Sequence, residues 1–312
     1  MQLATRAVSA QNDPQFSQYF LNQSVFNPGY NGLDNALSAT AQFRSQWMGI
    51  EGHPFIQDIS VHSPVPLLHG GLGILLLNEE EGVLRNTFVS AGYAYHIRTN
   101  AGTFSIGVSG GAVQSSLDGS KLRAPDGNYI DGINHNDDIL PGVMVSGIGP
   151  DFAAGIFFAG RKFTAGISAN HLIPVDIKLD GTNSNLSMIF ARQYYLQVAY
   201  FAPLGNTISI RPSLMVKSNG SYLQGEGDVV LTYNNFLWFG AGFRGYSNQT
   251  LDAIIGTVGI RIGENLRLGY SYDYTTSSLN SVSNGSHEVV INYRVNLIKP
   301  AKPGKIIYTP RF

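Results

Sequence analysis

The sequence predicts a transmembrane β-barrel. Three observations lead there: hydropathy alternates residue by residue, the alternating runs have the length of a membrane-crossing strand, and their charges share one face. Of 312 residues only 13% are charged, below the roughly 25% of ordinary soluble domains. Aromatics reach 11%, glycine numbers 36, and mean hydropathy is close to zero. No stretch approaches the ~18 consecutive apolar residues of a membrane helix. This combination suits strands that are apolar on one side only. A net charge of −1 argues against a nucleic-acid partner, which would call for clustered Lys and Arg. The lack of cysteine removes disulfides, thiolate zinc ligands and thiol nucleophiles.

The period is two almost everywhere. Leu266, Leu268, Tyr270, Tyr272 and Tyr274 alternate with Arg267, Gly269, Ser271 and Asp273. Val289, Ile291, Tyr293, Val295 and Leu297 share one face, with Asn292, Arg294 and Asn296 on the other. Such runs fall near 38–47, 55–64, 70–77, 87–98, 103–114, 140–147 and 151–159 in the first half. The second half adds 162–171, 190–201, 206–217, 226–235, 236–246, 253–262, 264–275 and 286–297. Counting two short runs as one interrupted strand gives about fourteen, an even number as in bacterial single-chain barrels. Most are close to the ~9–11 residues of a tilted membrane strand. Asn100-Ala101-Gly102, Asn234-Asn235 and Gly263-Glu264-Asn265 mark tight turns. The long polar insertions are Asp118–Asp138, Asp176–Ser187 and Thr276–Gly285. Short turns opposite long loops are the usual asymmetry of periplasmic and extracellular ends. A soluble sandwich would also alternate, but its strand ends would not be so crowded with tyrosine.

The polar face carries Arg44, Arg98, Arg211, Lys217, Arg244, Arg261, Arg267 and Arg294, with Asp273 and Glu288 to pair some of them. At mid-bilayer each such charge would cost about 2–4 kcal/mol, so the face belongs to the lumen. Arg44, Arg211, Arg244, Arg261, Arg267 and Arg294 are the lumen-lining candidates. They either form internal salt-bridge ladders or line an anion-selecting passage.

Several catalytic patterns are decoys. Gly107-Val108-Ser109-Gly110-Gly111 matches G-x-S-x-G, yet Ser109 sits inside an alternating strand, not on a strand-to-helix turn. Gly240-Ala241-Gly242-Phe243-Arg244-Gly245 has the phosphate-loop glycine spacing, but no helix follows to bind phosphate. Asp126, Asn128, Asp131, His135, Asp137 and Asp138 could offer oxygen ligands to calcium, without EF-hand spacing. No H-x-x-x-H pair occurs. Neither an enzyme nor a cofactor is expected.

The termini are distinct from the barrel. Val8-Ser9-Ala10 before Gln11 has the small-residue pattern of a signal-peptidase site, so residues 1–10 read as a signal-peptide remnant. In residues 11–36, Asp13 could cap a helix with Pro14 at its first position, placing Phe16, Tyr19 and Phe20 on one face before a turn at Asn27-Pro28-Gly29. This helix would lie in the lumen, along the periplasmic rim, or on lipid head groups. Residues 37–297 form the barrel. Residues 298–312, with Pro300, Pro303, Pro310 and four basic residues, form a periplasmic tail that no sheet would accept.

Short motifs then point to a family. Asp13-Pro14-Gln15-Phe16-Ser17-Gln18-Tyr19, Asn22-Gln23 and Asn27-Pro28-Gly29-Tyr30-Asn31-Gly32 resemble the opening signature of the PorP/SprF family. So do Arg44-Ser45-Gln46-Trp47 with Gly49, Gly52 and Pro54; Gly71-Leu72-Gly73; Gly285-Ser286-His287-Glu288; and the terminal Thr309-Pro310-Arg311-Phe312. Gly29 stands where the family more often has Ala. The resemblance implies an outer-membrane component of the type IX secretion and gliding machinery of Bacteroidetes. It would anchor or assemble secreted surface proteins or the periplasmic secretion complex. Its partners would be other secretion components, a large secreted adhesin and the lipid bilayer. Phe16, Tyr19, Tyr30, Arg311 and Phe312 are the candidate docking residues. The competing class is a passive pore or small-solute transporter.

Overall fold

The computed structural model describes residues 13–130, 132–137, 139–179, 186–246 and 251–297. Its strands are β1 (Ala36–Ser45), β2 (Phe55–Val65), β3 (Gly70–Glu81), β4 (Leu84–Arg98), β5 (Gly102–Asp118), β6 (Met144–Gly160) and β7 (Phe163–Asn170). There follow β8 (Val175–Lys178), β9 (Ser187–Phe190), β10 (Gln193–Tyr200), β11 (Ala202–Leu204), β12 (Ile208–Ser218) and β13 (Leu223–Tyr233). The last are β14 (Leu237–Tyr246), β15 (Leu251–Ile262), β16 (Leu266–Thr275) and β17 (Ser286–Asn296). Each wall strand pairs antiparallel with its neighbours, β1 with β17, and β10 with β12, so the sheet closes on itself. β11 continues β10 along β12. With those two as one stave the wall has fourteen. Closure leaves the backbone hydrogen bonds satisfied from within, the condition for irregularity-free passage through lipid.

The faces separate as the period requires. Ile59, Ile74, Val89, Ile106, Ile167 and Ile254 project outward and are exposed, while Gln42, Asp58, Ser105, Gln193, Ser271 and Asn292 project inward and are buried. No helix of the described residues is long and apolar enough to cross a membrane. The two ends differ. At the end where β1 starts and β17 finishes, the connections are 66–69, 99–101, 161–162, 205–207, 234–236 and 263–265. Asn234 and Asn235 both take the left-handed conformation that a tight hairpin turn needs. The opposite end carries the longer connections 46–54, 119–143, 171–192 and 276–285, with short turns at 82–83 and 219–222.

The expected count of fourteen holds with two runs merged, and two other features depart from the sequence expectation. The runs at 140–147 and 151–159 are one strand, β6, continuous through Pro150; β5 and β6 span 17 residues each. The insertion Asp176–Ser187 is not all loop: its ends belong to the β8–β9 hairpin, whose Val175, Ile177 and Phe190 join the buried apolar cluster. The N-terminal helix does not form. The segment makes three 3-10 turns instead, Tyr19–Leu21, Gln23–Val25 and Pro28–Tyr30. Glu288 of the wall takes the Ser17 and Gln18 amides that would make the first helical bonds, and beyond them the amides of Leu21, Asn22, Phe26, Tyr30 and Asn31 bond three residues back, in 3-10 rather than α spacing. Residues 1–10, expected as a signal-peptide remnant, and 298–312, expected as a periplasmic tail, lie outside the described residues.

The register can be tested because the chain has no cysteine of its own. Cysteines replacing Ser209 or Ser213 should resist lipid-phase reagents, whereas those replacing Ile208 or Leu214 should react; the reverse pattern would place the strand one residue out. The protein should fractionate with outer membranes and migrate differently on a gel before and after boiling.

Candidate functional site

The N-terminal segment runs the length of the lumen. Asp13 lies at the long-loop end, beside His171 and Tyr195, and Asp34 at the short-turn end, beside Arg294. Between them the chain is gripped at successive levels by the wall.

The strongest grip is a buried ion cluster. Arg44 on β1 pairs with Asp273 of β16 at 2.7 Å and Glu288 of β17 at 3.3 Å. Arg244 on β14 pairs with Glu226 of β13 at 2.6 Å and with the same Asp273 at 2.9 Å. Ser17 stands at the centre. Its hydroxyl donates to Asp273 at 2.8 Å and accepts from Arg44 at 3.0 Å and Arg244 at 2.7 Å. One proton and two lone pairs are thereby all engaged. The amides of Ser17 and Gln18 donate to the two carboxylate oxygens of Glu288 at 2.7 and 2.9 Å. Five strands of the wall are thus tied to two consecutive residues of the segment.

Further contacts fix the rest of it. Tyr19 donates to Asp228, and Asn22 to Asp58 and Gln42. The Asn27 amide reaches the carbonyls of Ile156 and Ile167. Here the wall must be thin: a side chain at Gly107 would collide with Pro28 and Gly29, and one at Gly155 with Asn27. Tyr30 packs edge-on against His62 and Phe157. Asp34 closes the series on Arg294 at 3.2 Å and His62 at 3.6 Å.

At the long-loop end Asp13 belongs to a second cluster. His171 touches Asp13 with one ring nitrogen and Asp151 with the other, both at 2.8 Å. Tyr195 donates to Asp13, and the Lys217 ammonium to its carbonyl at 2.8 Å. Burial opposes the imidazolium, but the two carboxylates outweigh it and raise the His171 pKa to about 10. Burial likewise raises Asp13, and His171 more than reverses this, leaving it below the usual carboxylate value.

The arginines fall into two groups. Arg44 and Arg244 are enclosed in the ion cluster. Arg211, Arg261, Arg267 and Arg294 occupy inward positions toward the short-turn end and are only partly buried. Arg211 lies over the Phe20 ring at 5.3 Å. Arg261 sits directly across from Arg267 in the β15–β16 ladder, and neither has an ion pair among the described residues. Of the docking candidates, Phe16 and Tyr19 are 0% and 1% exposed, so their rings face the barrel interior. Arg311 and Phe312 lie outside the described residues. His135 contacts the Gly119 and Pro141 carbonyls and the Tyr129 hydroxyl, holding its own loop together. Among the described residues no group of His, Asp and Glu could hold a metal.

The family model of the type IX secretion system membrane protein PorP/SprF matches residues 8–293. The chain belongs to the PorP/SprF family. No curated protein sequence matches it. Among solved structures it is similar to the Ralstonia pickettii toluene transporter TbuX, at 14% identity and a TM-score of 0.51 over 87% of this chain and 92% of that one. The CymD monoaromatic hydrocarbon channel is similar at 11% identity and a TM-score of 0.51, over 83% and 87%. At such identities the likeness is one of fold. Family and fold together make this an outer-membrane β-barrel of a type IX secretion system.

The PorP/SprF motifs converge in space. Arg44 lies across β1–β17 from Glu288, and Ser45 from His287, so the two distant motifs form one ladder. The Trp47 amide donates to Ser286, and Met48 pairs with Gly285. Gly71 and Gly73 leave room for Asn31 of the opening signature. Ser17 and Asn27 had no charged or reactive group to single them out. The signal that could have found them is the pairing of a polar N-terminal motif with lumen-facing carboxylates.

Two outcomes follow. Arg244→Met leaves Glu226 without its cation and should cost about 3–5 kcal/mol, as broken buried ion pairs do. The folded gel band should therefore be lost at a clearly lower temperature, whereas Lys121→Ala, at an exposed pair, should change little. The Asp13–His171 contact has its own pH window. His171, raised when folded, stabilises fully below about pH 6.5, and this contribution fades as pH rises toward about 10. Asp13, lowered when folded, contributes above about pH 4 and loses this on acidification. Thermal stability should fall between pH 6 and pH 10, and His171→Gln should flatten that fall.

Proposed function

We propose that this PorP/SprF barrel is a closed docking platform of the type IX machinery. It anchors or assembles secreted surface proteins, or the periplasmic secretion complex, rather than passing solutes. The observation that carries the reading is the filled lumen. A segment held by an ion cluster at one level, by Asn22 and Asn27 below it, and by Asp34 at the rim occupies the space a porin keeps for water. In this reading the short-turn end faces the periplasm and the long loops face outward. The periplasmic mouth presents Arg211, Arg261 and Arg267, which have no ion pair among the described residues, a rim suited to an acidic surface of the secretion complex. An enzymatic role lacks a constellation: Ser109 stands mid-strand in β5, and its register partners are Gly92 and Ala153.

One observation favours a transporter instead. A pocket of about 80 Å³ lies between the segment and the wall, bordered by Val25, Phe26, Leu75, Leu77 and Phe88 beside Ser90 and Ser109. The two similar solved structures are named for toluene and monoaromatic hydrocarbons. The readings separate in a planar bilayer and in cells. The platform predicts no stable conductance from the purified barrel, and release of surface-held secreted proteins into the medium when its gene is deleted. Porin-like conductance with surface proteins still retained would instead establish the transporter.

A further inference from the structure

The wall is closed through the bilayer, but it is not level at its long-loop end. β6 runs from Met144 to Gly160, while its neighbour β7 pairs only with Ala154–Ala159. Beyond that ladder one more bond is made, from the Leu172 amide to the Phe152 carbonyl at 2.9 Å. The antiparallel ladder sends backbone groups of alternate residues to opposite sides. Since Phe152 bonds toward β7, so do Pro150, Ile148, Ser146 and Met144. Among the described residues, no backbone partner meets these four on that side. On its other side β6 is fully paired with β5, Met144 with Asp118 and Pro150 with Ala112. Among the described residues, the upper part of β6 is therefore an unpaired edge of the barrel sheet.

The side chains at this edge are out of keeping with their level. The register links Leu76, Val89, Ala112 and Pro150 in one row across β3 to β6, an apolar row consistent with lipid. The next outward-facing row is Asn78, Thr87, Gln114 and Ile148. The one above it is Glu80, Arg85, Ser116 and Ser146, with Arg85 paired to Glu80 at 2.7 Å. These rows are polar and so stand clear of the hydrocarbon. Ile148 is the apolar member of its row, at 72% exposure, and Met144 at the tip is 66% exposed. Behind the edge the inner face is not hollow. Gly147 and Gly149 lie flat against Ile177 and Val175 of the β8–β9 hairpin, which gives an added strand an apolar floor.

We propose that the Met144–Pro150 edge of β6 is the client dock of this barrel. It would take one extended segment of a secreted protein as an added β-strand, with apolar residues at alternate positions beside Ile148 and Met144. This rests on the anchoring reading above and deepens it. Strand addition gains its affinity from main-chain hydrogen bonds and its selectivity from alternate side chains. Both are on offer here. A second copy of the chain is a poor occupant. Two barrels in one membrane would run β6 in the same direction, and strands tilted about 35–45° would cross instead of aligning when related by an axis along the membrane normal.

The test uses intact cells and a proline. The Ile148 amide points to the free side, so Ile148→Pro with Ser146→Pro removes two edge donors and spares the β5 ladder. The double variant should reach the outer membrane and keep its gel shift, while the surface-held secreted protein falls at least tenfold and appears in the medium. A second variant covers misfolding. Ile148→Cys, labelled on intact cells with a bulky membrane-impermeant maleimide after the barrel has folded, should block retention of newly secreted protein, and bound client should slow that labelling. Normal retention by both the proline variant and the labelled cysteine variant would overturn the edge as the dock. Loss of retention in both, with barrel abundance unchanged, supports it. Gene deletion separates the layers. If deletion releases no surface protein, the anchoring reading fails; if deletion releases it and the edge variants do not, only the dock is wrong.

Discussion

Arg44 and Arg244 sit inside a ring of strands with almost no exposure, and the height of the N-terminal segment depends on how they are neutralised. Two guanidiniums meet three carboxylates from β13, β16 and β17, and the hydroxyl and amides at Ser17 and Gln18 take up bonds the side chains cannot give one another. Breaking such a cluster costs more than forming it gains, because each orphaned charge stays in a low-dielectric surround. The cluster is therefore better understood as a lock on geometry than as a source of stability. It fixes the height of the N-terminal segment, and with it the placement of Asn22, Asn27 and Asn31 against their own parts of the wall.

The segment and the wall are matched in volume as well as charge. Tyr19 and Phe16 fill the wide part of the lumen, and farther down, where Pro28 and Gly29 cross β5 and β6, the wall offers glycine instead of side chains. Contacts such as Ser17 with Glu288, separated by 271 positions, make the interior non-local throughout. Such contacts carry a large loop-closure entropy and form late. Local motion is correspondingly expected at the long-loop end, where hairpin β8–β9 is paired only with itself.

The wall was legible from the sequence because lipid imposes period two on every crossing strand. The positions of Arg44, Arg244 and Asp273 on the inner face follow from that period alone. Three things were not legible. Pro150 within β6 reads as a break, and it is tolerated because its missing donor falls on the unpaired side. Val175 and Ile177 stand among polar residues, and their burial depends on the glycines of β6, which are adjacent only in space. The opening segment has the amphipathic spacing of a helix; what overrides it is Glu288, which captures the donors that would otherwise begin a helix. Each miss involves a tertiary partner supplied by a distant strand.

The path of the N-terminal segment ties the filling of the lumen to the closure of the wall. Asp13 rests at the long-loop end, yet the chain leaves the lumen at Asp34 and enters β1 at the opposite mouth. β1 is also the strand that seals the cylinder against β17. The strand that carries the thread out of the lumen is thus the strand that completes the cylinder, and Arg44 on that strand grips the thread at Ser17 while its neighbour Glu288 grips it from across the seam. Seam and plug are one joint: a slip in the β1–β17 register would also pull the lumen segment off its cluster.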